Sequence, residues 1–127
     1  MKSFVRVLLA FFFIAAGANH FRTPEIYLGM MPLWLPAPTL MNTLSGAAEI
    51  LGGVGLLIGF TRRAAGWGLI ALLIAVFPAN IHVALQGHMP GTHFSPTTLW
   101  WRLPFQPLLI AAVWWAALKN TPRPESA

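Results

Sequence analysis

Four runs of mostly apolar residues, each close to the roughly 20 needed to cross a bilayer as a helix, divide this chain wherever charge or proline interrupts them. They cover residues 3–21, 39–60, 64–86 and 98–118. Charged residues make up 9% of the chain, against about 25% in a soluble domain. The 6 Trp and 9 Phe would leave large apolar patches exposed to water. The expected fold is all-α: an integral membrane four-helix bundle filling residues 1–119, followed by a disordered cytoplasmic tail at 120–127. An excess of 8 Lys and Arg over 3 acids is too dilute to point to nucleic acid, which needs clustered cations. The lipid bilayer is the expected partner. With no Cys, disulfides, CxxC redox pairs, iron–sulfur clusters and thiolate zinc sites are excluded for this chain.

Between the first two runs, residues 24–38 are apolar but broken by Pro32, Pro36 and Pro38. With Met30, Met31, Trp34 and Leu35 they read as an interfacial segment and not as a further span. Lys2 and Arg6 flank the first run, Arg62 and Arg63 fill the turn after the second, and Lys119 and Arg123 follow the fourth. The positive-inside rule puts these on one side, with both termini cytoplasmic. The opposite loop, residues 87–96, has no Lys or Arg. Trp100 and Trp101 stand about 20 Å along a helix from Trp114 and Trp115, the separation of two aromatic belts. Lys2, Arg6 and the triplet Ala16, Gly17, Ala18 also have the layout of a cleavable secretory signal. Cleavage would discard a helix whose last residues are polar, so the first run is expected to stay.

Polar side chains at membrane depth are costly, and each is a site hypothesis with a partner to find. They cluster: Asn19 and His20 close the first run, Ser45 and Glu49 lie in the second, Asn80 and His82 lie late in the third, and Arg102 and Gln106 lie early in the fourth. Alternating helix direction puts all eight in the outer half, which implies a shared polar pocket opening outward. Glu49 is the deepest, roughly 15 Å of helix from water on either side. It needs a partner: Arg102 reaching inward, or a protonated carboxyl bonded to His20 or Asn80, with His82 a weaker candidate. Gly46 and Gly53 share a face with Glu49 and suit a close helix contact, while Gly55 and Gly59 form a small-xxx-small pair. Pro78, Pro104 and Pro107 bend the backbone beside the pocket. The bland alternative is that these groups only glue helices together.

His20 and His82 would suit a bis-His haem, but bare His on two helices is a common coincidence, and haem is not expected. His88 and His93 are spaced wrongly for zinc, and no metal is expected. No P-loop, HExxH or GxSxG is present.

The runs GANHF at 17–21, SGAAEILGG at 45–53, VFPANIH at 76–82 and WRLPFQ at 101–106, with Pro24 and Tyr27, resemble the DoxX family of small bacterial membrane proteins. That resemblance implies four transmembrane helices, the bacterial inner (plasma) membrane and a link to redox work. One DoxX member is a subunit of a quinone-reducing thiosulfate oxidoreductase, and others accompany membrane oxidative-stress complexes. It carries over no catalytic residues. The expectation is therefore a membrane subunit binding a quinone or another small lipophilic redox partner in the polar pocket, with Glu49 and His20 exchanging protons and Arg102, Gln106 and Asn80 holding oxygens. Electrons would come from a redox protein partner, since the chain has no flavin or nicotinamide fingerprint. The alternatives are a non-enzymatic scaffold or assembly factor, or a small-solute transporter, which would need a homo-oligomer to alternate access.

Overall fold

A computed structural model of the chain describes residues 1–31, 34–88 and 95–119; Pro32, His93 and the expected tail at 120–127 lie outside the described residues. The fold is all-helical, with no strand among the described residues. Helices α1 (Lys2–Arg22), α2 (Pro24–Met30), α3 (Pro38–Leu57), α4 (Arg62–Gln86) and α5 (Pro96–Val113) follow in order, and α5 runs on into a π-helical turn, Trp114–Leu118. Proline sits in the first turn of α2, α3 and α5, where its fixed φ suits a helix start and its missing N–H costs nothing. Ser95 caps α5 by accepting from the Thr98 amide at 3.2 Å. Gly87 ends α4 in the left-handed region, φ 79°, a conformation that favours glycine.

Three helices, α1, α3 and α4, are long and apolar enough to cross a membrane. Helix α5 is not one of them, because Arg102, Gln106 and three prolines fall in its first two-thirds. Large apolar side chains are exposed on all four long helices, among them Phe11, Leu51, Ile74 and Leu108.

The long helices pack in a ring in which α1 meets α3, α3 meets α4, and α4 meets α5; α1 and α5 touch least, and the π turn bridges them at one end. The α1–α3 seam is the tightest. A Cβ on Gly17 would stand 2.6 Å from the Gly46 carbonyl oxygen, and one on Gly46 would stand 2.8 Å from His20 Cβ. Small residues let the two backbones touch, which drives association where lipid offers no hydrophobic contrast. Gly55 instead seats Ala65 of α4, while Gly59 lies beyond the end of α3 with nothing within 4 Å of where its Cβ would be. The expected Gly55–Gly59 pair therefore does not act as one.

Packing along the bundle is layered. One end is a dry core of Leu9, Phe13, Leu56, Leu69, Val113 and their neighbours. At that end the cations close helix termini. Arg6 donates to the Ala116 carbonyl at 3.1 Å, Arg63 to Leu118 at 3.0 Å and Arg62 to Leu56 at 3.0 Å, and Lys2 donates to Lys119. The basic residues thus satisfy carbonyls that the last helical turns leave unpaired. Toward the other end, Ile26 and Tyr27 of α2 pack on Val83, Ala84 and Leu99. The polar stations lie between these two apolar layers.

Candidate functional site

A cavity of about 270 Å³ occupies the middle of the bundle, and all four long helices and α2 line it. Its lining mixes apolar Phe12, Phe13, Phe105 and Leu109 with polar His20, Ser45, Glu49, Asn80, Arg102 and Gln106. Six of the eight residues singled out in the sequence therefore share one cavity. Asn19 stands behind it, donating to the Tyr27 hydroxyl at 2.8 Å, and Tyr27 stacks on His20 at 3.8 Å between ring centroids. His82 does not line the cavity: two residues past Asn80 is about 200° around a helix. Tyr27 of α2 and Met31, which follows that helix, also line the cavity. Pro24 restarts a helix directly after Thr23, which folds the apolar segment back over the bundle.

The histidine is held from two sides. Asn42, which sequence reasoning passed over, is buried and donates its amide to the His20 carbonyl at 3.0 Å, while its Oδ1 lies 2.7 Å from His20 Nδ1. A carbonyl can only accept, so the Asn42 orientation is settled and Nδ1 must carry the hydrogen. His20 Nε2 then points at Glu49 Oε2, 3.6 Å away. At 3.6 Å the contact is longer than a hydrogen bond, and Oε2 is buried without a hydrogen-bond partner among the described residues. Asn42, Gly46 and Glu49 recur at i, i+4 and i+7 on α3, the spacing of one helix face. That spacing is the signal that could have found Asn42.

Opposite, Gln106 is buried, takes a hydrogen bond from Asn80 and donates to the Leu73 carbonyl. It ties α5 to α4 on both sides of Pro78, through Leu73 and Asn80. Replacing Gln106 by Leu strands the Asn80 amide and should cost about 1–3 kcal/mol. Adding Asn80→Leu should restore part of that, because removing both partners is nearly neutral. Thermal unfolding of the two variants in detergent checks this; additive losses would mean that the bond carries nothing. Arg102 lines the cavity one turn before Gln106 and also borders a groove on the outside of α5. No three His, Asp or Glu side chains among the described residues come together to hold a metal.

A family model described as a domain of unknown function (DUF8561) matches residues 9–117. No curated protein and no solved structure matches the chain. The family match corrects the DoxX resemblance, and what that resemblance implied about redox work, thiosulfate oxidation and oxidative stress goes with it. The physical reason lies in the motifs themselves. Two of the four runs, GANHF and SGAAEILGG, are small-residue stretches of the kind that close helix packing in membranes selects, so they do not single out one family.

Proposed function

The chain belongs to the DUF8561 family, and on that footing we propose that it is a four-helix membrane protein whose cavity binds a small lipophilic molecule with a polar ring, a quinone-like head being the chemistry that fits best. The observation that carries this reading is the cavity's mixed lining: the phenyl rings of Phe12, Phe13 and Phe105 together with Ser45, Glu49, Asn80 and Arg102, around about 270 Å³. A planar ring with oxygens on its rim meets both kinds of side chain. An engineered apolar cavity of about 150 Å³ binds benzene, so this one has room for a single substituted ring. The His20–Glu49 pair supplies a place to hold or release a proton beside it.

The test is extraction of the detergent-purified protein and mass spectrometry of what comes out, followed by titration with a water-soluble benzoquinone monitored by tryptophan quenching. A co-purifying ring lipid and saturable quenching are expected; absence of both would overturn the proposal. A scaffold reading draws on the bonds that join helices, Asn42 to His20 and Asn80 to Gln106, and it requires that no saturable binding be found.

In this reading α5 with its π turn is the fourth span, and the end that gathers Lys2, Arg6, Arg62, Arg63 and Lys119 faces the cytoplasm of a bacterial cell. Alkaline phosphatase fused to the C-terminus should be inactive, and green fluorescent protein at the same position should fluoresce. An active phosphatase would reverse the map.

A further inference from the structure

The cavity has room for a ring and not for a long tail, yet part of its wall faces the place where a tail would lie. Phe12 of α1 and Phe105 of α5 both line it, while Phe12 is 43% and Phe105 50% exposed on the outside of the bundle. Their rings meet edge to face with centroids 6.5 Å apart, and they stand where the two least-contacting neighbours in the ring of helices come together. This aromatic pair therefore belongs both to the cavity lining and to the exposed surface. Immediately outside, Thr98, Trp101, Pro104 and Leu108 form a groove along α5 that shares Arg102 and Phe105 with the cavity. Trp101 and Leu108 are 70% and 66% exposed, so the groove runs on from the cavity wall into the surface that the bilayer would cover.

We infer that the ligand is a single-ring amphiphile with a long hydrocarbon tail, its head in the cavity and its tail running past Phe105, which lines both, into the α5 groove. This rests on the ligand-binding reading above and adds the class of molecule and its route. A head of one ring uses the volume available, and a tail in the groove is covered by protein on one side and by lipid on the other. The polar head never has to cross α2, whose Tyr27 is held by Asn19 and stacked on His20.

The experiment compares a tailless dimethoxy-methyl-benzoquinone with its decyl derivative, on the wild type and on Leu108→Trp, which fills the groove at a position exposed enough to fold normally. Affinities are read by tryptophan quenching, each set against a free-tryptophan control. The decyl compound should bind Leu108→Trp about tenfold more weakly than wild type, a difference of about 1.4 kcal/mol, while the tailless compound binds both alike. If both compounds bind but Leu108→Trp weakens neither, or weakens both equally, the tail does not lie in the groove and this inference fails while the binding reading stands. If neither compound binds the wild type, the binding reading fails and this inference falls with it. A dimer that dissociates in Leu108→Trp would assign the groove to a second copy of the chain and overturn the inference as well.

Discussion

Glu49→Gln is expected to leave the protein folded and to weaken ligand binding by about 10- to 100-fold. The expectation follows from what the amide keeps and what it loses. A Gln at this position retains the shape of the carboxyl and can donate to His20 Nε2, so the ring held by Asn42 stays satisfied and the melting temperature should move little. The amide can neither carry a charge nor take up a proton. A hydrogen bond to a charged group contributes about 1.5–3 kcal/mol, and each 1.4 kcal/mol is about tenfold in affinity. Any pH dependence of binding should flatten in the same variant.

Glu49→Leu separates the cases further. It removes the polar group that His20 Nε2 faces and sets an alkyl group in its place, for a stability cost of about 1–3 kcal/mol. If the pair were only glue, Leu would lower the melting temperature and Gln would change nothing, in folding or in binding. If both variants bound a quinone-like ring as the wild type does, the cavity would have nothing at stake at its deepest polar group and would not be a binding site.

Where the sequence could be read, it was because each signal was local. The expected runs at 3–21, 64–86 and 98–118 meet helices at Lys2–Arg22, Arg62–Gln86 and from Pro96 through the π turn, since charges and prolines mark those ends. The second run, 39–60, overshoots: α3 stops at Leu57, Ile58 is extended, and Arg62 takes the Leu56 carbonyl. Nothing in the apolar composition of 58–60 announces that stop. Helix α2 was invisible because seven residues hold too few turns to show a period.

The gathering of His20, Ser45, Glu49, Asn80, Arg102 and Gln106 followed from polar groups standing out against apolar runs. The pairing within the group did not follow. Which side chain meets Glu49 depends on how each helix is rotated, and a two-residue offset sends His82 to another face. Asn42 was lost for the opposite reason: near a helix start, an Asn reads as a cap or turn residue, and only the tight α1–α3 seam turns it inward against His20.

That seam carries the second large effect, because it sets both the packing and the site. Gly17→Ala would put a Cβ 2.6 Å from the Gly46 carbonyl oxygen and 3.0 Å from the Ile50 amide nitrogen. These are backbone atoms, so no rotamer change relieves the contact and the two helices must separate. Overpacking of this kind costs about 1–3 kcal/mol. Gly17 is three residues before His20, and Gly46 is three before Glu49, so separation at this point pulls His20 away from Asn42 and Glu49 together. Gly17→Ala should therefore lower the melting temperature and the ligand affinity in the same protein. Gly53→Ala meets the Ala10 carbonyl at 2.9 Å on the same seam, two turns nearer the other end; it should lose comparable stability with a smaller loss of binding. Gly59→Ala meets nothing within 4 Å and should change neither. Thermal unfolding in detergent and quinone titration of the three variants make the comparison. If Gly17→Ala loses stability but binds as the wild type does, the seam supports the fold without setting the distance between His20 and Glu49, and the geometry of that pair is not what the ligand reads.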